Sequence, residues 1–173
     1  MKNSPPRYAP ERTFPAYRFL PGRDPHPTRN PDGHSYTGEP EPPQPYIPAD
    51  EWRSNGEYLY GVDLYNHGFL WEAHEAWEGL WHPAKGHEPL ADFLQGLIQC
   101  TAASLKVPME QPRGVAKLAE LGTARLERVA REAGSEYMGL DVPDFVEAFR
   151  DFAASSPSDA DQRPRLVLDV GDQ

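Results

Sequence analysis

A single cysteine, Cys100, in 173 residues excludes an internal disulfide framework and a four-cysteine zinc knuckle. Basic residues are scarce: 17 Lys and Arg stand against 27 Asp and Glu, a formal net charge of −10. That balance argues against nucleic acid or an anionic membrane as partner, because both require a surplus of cations. No apolar run approaches the roughly 20 residues that span a bilayer. The opening Met-Lys-Asn-Ser-Pro-Pro-Arg leads into no apolar segment, so no secretory signal is expected and the expected compartment is the cytoplasm. A glycine-rich phosphate loop, a nucleophile elbow and a Cys-x-x-Cys pair are all missing.

Proline, by contrast, is abundant and unevenly placed. Of 20 prolines, 13 fall between Pro5 and Pro48, in a stretch that is nearly neutral, while residues 49–173 carry a net charge of −11. Proline at this density fixes φ, removes backbone donors and excludes helix, so residues 1–48 are expected to form an extended arm. Tyr8, Phe14, Tyr17, Phe19, Tyr36 and Tyr46 are interleaved with the prolines. Disordered tails are poor in aromatics, so this arm is expected to wrap the body at least in part.

The body, residues 49–156, has helical periodicity with no convincing period-2 strand. Helices are expected near Glu51 to Asn66, closed by Gly68; near Phe69 to Trp81, ended by His82-Pro83; and near Pro89 to Lys106. A fourth is expected near Arg113 to Glu132, and a fifth opens at Asp141-Val142-Pro143, an acid cap followed by proline. Residues 157–173 form a polar tail with one apolar stretch, Leu166 to Leu168. The expected fold is an all-α bundle of about five helices with an extended proline-rich N-terminal arm.

Chemistry concentrates in the second helix, Trp71-Glu72-Ala73-His74-Glu75-Ala76-Trp77-Glu78-Gly79-Leu80-Trp81-His82. At about 100° per residue, Leu70, Ala73, Trp77, Leu80 and Trp81 form the inner face, with His74 at its edge. Glu78, four residues on, meets His74 on one side; Glu75 lies further round and Glu72 further still. A partly buried histidine beside carboxylates tunes proton affinities or binds a divalent metal. His74-Glu75-x-x-Glu78 resembles the His-Glu-x-x-His of zinc proteases with its second His replaced by Glu. Two ligands from one helix leave a metal in need of others, and the candidates are His26 and His34 in the arm, His67, His82 and His87. Gln95 and Gln99, four apart on the third helix, could orient those carboxylates or a ligand; the alternative is a solvated stripe shared with Asp92. The cluster itself reads first as a buried polar network at a helix seam, with a metal site and a metal-free ligand pocket as the two lesser alternatives. Cys100 falls on an apolar face, as an inert core thiol.

The run from Tyr58 to Trp81, with its Glu72-Ala73-His74-Glu75 core, resembles the family catalogued as domain of unknown function 309. Asp92-Phe93-Leu94-Gln95-Gly96-Leu97-Ile98-Gln99 resembles that family's second block, and with Gly114-Val115 the likeness covers roughly residues 53–130. Pro21-Gly22-Arg23-Asp24-Pro25-His26-Pro27 through Gly33-His34-Ser35-Tyr36 is similar to a leader found in some members. The resemblance implies a small helical bundle, bacterial or archaeal, without an established activity, in which Glu72, His74, Glu75 and Glu78 are the core of the motif.

The functional expectation is a cytoplasmic helical protein whose second helix binds a divalent metal or a small polar ligand. His74 and Glu75 are the candidate general acid and base, Glu72, Glu78, Gln95 and Gln99 the ligand-binding set, and His74, Glu78, His26 and His34 the metal set. Any reaction would be hydrolytic or a proton transfer. The rival is an interaction module in which the His/Glu cluster fixes helix register and the arm embraces a protein partner or a second copy.

Overall fold

The computed structural model describes residues 3–171. Five α-helices carry the fold: α1 Gly56–Asn66, α2 Leu70–Ala84, α3 Leu90–Lys106, α4 Pro112–Ala133 and α5 Val142–Ala154. Short 3-10 helices, Ala49–Ser54 and Ala160–Gln162, precede and follow them. Each long helix packs on its sequence neighbour, α1 on α2, α2 on α3, α3 on α4 and α4 on α5, as short connections favour. The expected all-α bundle is what forms.

The core lies where the inner faces meet. Tyr58, Tyr65, Trp77, Phe93, Leu97, Leu126 and Phe149 are among its largest buried members. Two close approaches set the helix spacing. A Cβ at Gly96 would meet Leu126 at 2.7 Å, and one at Gly122 would meet Cys100 Sγ at 2.8 Å, so glycine on both sides lets α3 and α4 touch. Cys100 is a free thiol in this seam, and burial pushes its pKa up, which keeps it the inert core group expected. Among the described residues, no helix is long and apolar enough to cross a membrane.

Three local expectations need correction. The first helix does not run from Glu51: the 3-10 turn stops at Ser54, and Asn55 then caps α1 by accepting a hydrogen bond from the Tyr58 N–H at 3.1 Å. The second helix does not stop at His82, because Pro83 lies inside its last turn, where the lost donor costs one terminal bond only. A short hairpin, β1 Glu136–Tyr137 with β2 Leu140–Asp141, was not expected. Its turn residues Met138 and Gly139 both have positive φ, 48° and 80°, the type I′ pattern that suits a two-residue hairpin. Asp141 caps α5 as expected, accepting from the Asp144 N–H at 3.1 Å.

The arm lies against the bundle, pinned at two carboxylates. The first is Asp63 on α1, whose side chain is fully buried. Its oxygens accept from Arg7 Nε at 2.8 Å, the Tyr8 N–H at 2.7 Å and the Ala9 N–H at 2.9 Å. The second, Glu72 on α2, belongs to the site below. Between them, the Tyr60 hydroxyl donates to the Thr13 carbonyl at 2.7 Å, and Phe14 stacks on Phe69 with centroids 4.9 Å apart. The C-terminal segment is tied down as well. The Asn66 amide exchanges two 2.8 Å hydrogen bonds with the Leu166 backbone, and the Leu168 N–H donates to Tyr8 Oη at 2.8 Å.

Two predictions follow from this packing. Asp63→Ala leaves Arg7 and two backbone donors without their acceptor, so urea unfolding should show a loss of about 3 kcal/mol, with faster proteolysis of residues 3–20. The second concerns pH. Burial, then the nearby Arg7, holds the His67 imidazole below its ordinary 6.5. The unfolded chain therefore binds more protons in the window just below 6.5, so this stability is complete above that value and is lost as pH falls through the folded one. His67→Gln should flatten the stability slope below about pH 6.5, read as urea midpoints across pH in chloride buffer.

Candidate functional site on the second helix

Helix α2 presents its acidic residues in a fan. Measured round the axis from Glu72, His74 lies at about 200°, Glu78 at about 240° and Glu75 at about 300°, while the core face centres near 120°. Glu75 is thus diametrically opposite the core and its side chain is 49% exposed; His74, at the core's edge, is 29% exposed. Glu72 should be solvated by the same geometry, yet it is only 5% exposed. The arm covers it.

Glu72 Oε1 accepts from the Phe19 N–H at 2.8 Å and faces His34 Nε2 at 2.9 Å. His34 is itself held from behind. Tyr17 Oη accepts from the His34 N–H at 3.1 Å and donates to the Pro25 carbonyl at 2.6 Å, and Ser35 Oγ lies 2.7 Å from His34 Nδ1. Beside this pair, Phe19, His26 and Trp71 meet edge to face with centroids 5.1 to 5.4 Å apart. His26 Nδ1 accepts from the Thr28 and Arg29 N–H groups at 3.3 and 3.2 Å, which fixes the Pro25-His26-Pro27 turn.

His74, Glu75 and Glu78 form a separate group. Their ligand atoms all lie within 4.8 Å of one another. His74 Nδ1 is 3.5 Å from Glu75 Oε1 and 3.6 Å from Glu78 Oε2, too far for good hydrogen bonds. The same nitrogen is shielded from solvent and has no hydrogen-bond partner among the described residues. His82 Nε2 stands 3.7 Å from Glu78 Oε1 on the outer side.

Of the sequence-derived candidates, the structure brings together His74, Glu75 and Glu78 and sends the arm histidines elsewhere, His34 to Glu72 and His26 to Trp71. His87 stacks on Tyr46 at 4.2 Å, and His67 tilts against Phe14 at 4.7 Å. Gln95 and Gln99 are half-buried, and neither amide bonds the α2 carboxylates among the described residues; Gln99 Oε1 is shielded and unpartnered. Asp92 is not part of a solvated stripe. It is buried and pairs with Arg125 at 2.8 Å and Arg128 at 3.4 Å, which ties α3 to α4.

A cavity of about 580 Å³ opens between the arm and α1 and α2. Glu57, Tyr60, Trp71, Glu72, Glu75 and His34 are in its wall. Glu75 therefore belongs both to the His74 group and to the cavity. Residues that sequence reasoning missed are Asp63, Tyr17 and Phe19. Asp63 did leave a signal, a lone acid in the otherwise uncharged run Leu59-Tyr60-Gly61-Val62-Asp63-Leu64-Tyr65. Tyr17 and Phe19 left none beyond their aromatic character.

Fold and site together define a small helical bundle with an imidazole–carboxylate group on its second helix. Residues 58–118, which take in most of α1, all of α2 and α3 and the start of α4, match the family model described as domain of unknown function (DUF309). No curated protein and no solved structure matches the chain significantly. Asp63 and Glu72 lie within the matched segment, whereas their partners Arg7, Phe19 and His34 lie outside it.

Because Glu72 is buried against the arm, Glu72→Gln should weaken charge-assisted bonds to Phe19 and His34 and cost about 2 kcal/mol. Urea denaturation measures the loss, and hydrogen exchange should localise it to the Phe19 amide and residues 26–36.

Proposed function

We propose that His74, Glu75 and Glu78 bind one divalent metal ion. The observation that carries the reading is His74 Nδ1, shielded, without a hydrogen-bond partner among the described residues, and set 3.5 and 3.6 Å from two carboxylate oxygens. Ligands about 2.0–2.2 Å from a shared tetrahedral ion stand roughly 3.4 Å apart, so these separations suit a common ion better than direct bonds. One imidazole and two carboxylates form a borderline-to-hard donor set, fit for zinc, manganese or iron(II).

Three protein ligands leave positions open to water or substrate, the arrangement of a reactive rather than a closed structural site. A metal-bound water is acidified towards neutrality and serves in hydrolysis or proton transfer. The cavity that Glu75 borders offers room for a small polar substrate, with Tyr60 and Trp71 as apolar wall. Glu72 has a different part: its contacts with His34 and Phe19 favour a structural role as arm anchor, which is the rival reading applied to one residue rather than to the whole cluster.

Titration of tag-free protein with zinc or manganese, followed by calorimetry, tests the proposal. One equivalent per chain is expected, with affinity falling on acidification because the ligands must be deprotonated. His74→Ala should weaken binding at least roughly tenfold, about 1.4 kcal/mol, with little change in melting temperature. Absence of saturable binding by the wild-type chain would sink the proposal.

A further inference from the structure

A second cluster, separate from the α2 group, has the opposite sign. Where the end of α1 meets the arm and the C-terminal segment, a cavity of about 200 Å³ is walled by Arg18, Arg163, Arg165, His67, Asn66 and Asp161. Three guanidinium groups face one carboxylate there, in a chain whose net charge is −10. Asp161 is 61% exposed and already bonded to Arg163 Nη1 at 3.1 Å. Among the described residues, Arg18 has no carboxylate partner, and the one hydrogen bond of the Arg165 side chain is to the Asn3 carbonyl at 3.3 Å.

The wall also holds two unsatisfied groups. Arg163, its side chain 4% exposed, spends Nη1 on the Ala160 carbonyl and Asp161, and Nη2 on the Tyr65 carbonyl. Among the described residues its Nε is buried with no hydrogen-bond partner, and so is His67 Nε2. Buried guanidinium donors are costly to leave unpaired. Nearby acceptors do not relieve them. The Asp63 carboxylate is taken by Arg7 and the Tyr8 and Ala9 amides, and the last carbonyls of α1 accept from the His67, Gly68 and Phe69 N–H groups.

We infer that this cavity is a binding site for a phosphoryl oxyanion, either inorganic phosphate or the phosphate group of a small ester. Three guanidiniums against one carboxylate leave a local surplus of two positive charges, which suits a divalent oxyanion. Guanidinium forks match its oxygens geometrically. The cavity holds an oxyanion and a few waters at about 30 Å³ each. Arg163, its side chain nearly buried, supplies a fixed positive charge, while Arg18 and Arg165, both exposed, supply the guanidinium forks that reach the anion. His67 reports on occupancy: burial and Arg7 and Arg18 lower its proton affinity while Asp63 and the Pro5 backbone raise it, and an anion beside it adds a further raising influence.

The test is a titration of the full chain with inorganic phosphate, glycerol 3-phosphate and acetate at constant ionic strength set by chloride. The His67 ring resonances in NMR and the melting temperature are the two readouts. Saturable shifts with phosphate or its ester, and a His67 pKa that rises on saturation, are the expected results. Tighter binding of the ester identifies a phosphorylated metabolite, and equal binding identifies free phosphate. Arg18→Gln with Arg165→Gln should weaken binding at least roughly tenfold without unfolding the chain, since neither side chain is buried; Arg163 is left intact because it braces Tyr65. The inference is overturned if phosphate and its ester fail to saturate, if acetate alone does, or if the double variant binds as the wild type does.

Discussion

A carboxylate buried in a helical core must be met by donors, and at Asp63 the donors come from outside the bundle. Helix α1 satisfies its own backbone and has no N–H to spare for a side chain on its flank. Arg7, Tyr8 and Ala9 provide three donors within 2.9 Å, so the arm is bound by the need to satisfy this one charge. Removing it from water unpaired would cost several kcal/mol. The arm's course past Phe14 and Tyr60, and the seating of Tyr8 Oη on Leu168, both start from that anchor.

Proline density makes the arrangement workable. A chain with so few N–H groups builds no ladder of its own, and its remaining donors are free to meet side chains. Tyr8 and Ala9 use theirs on Asp63, and Phe19 uses its own on Glu72. The prolines hold the intervening segments extended, so less conformational entropy is lost when the arm settles. The same arm brings His34 to Glu72 and roofs the 580 Å³ cavity. What looks from composition like an appendage supplies one wall of the candidate site.

Periodicity made the bundle legible because each helix turns an apolar stripe inward, and side-chain chemistry marked the start of α5 at Asp141. The two-residue strands escaped because a period of two has no length in which to appear, and Met138 is an unusual residue at positive φ. On α2, the angular order of His74, Glu78, Glu75 and Glu72 could be read directly from 3.6 residues per turn, and it separates the first three from the fourth. Which of them is buried could not be read so. That depends on where a proline-rich segment with no period of its own comes to rest.

Burial therefore departs at Glu72 from the exposure that the helical wheel assigns. Glu75, at the pole facing away from the core, remains open, while Glu72, about 60° beyond it, is sealed by Phe19 and His34. A carboxylate sealed in this way is committed to the arm, and one left open beside an unpartnered imidazole is available to a ligand. The same motif thus separates into an anchor and a candidate site on adjacent faces of a single helix. Any movement of the arm about Glu72 would be felt at Glu75, since both border one cavity; the two roles are adjacent in space because both carboxylates lie on the side of α2 turned away from the bundle core.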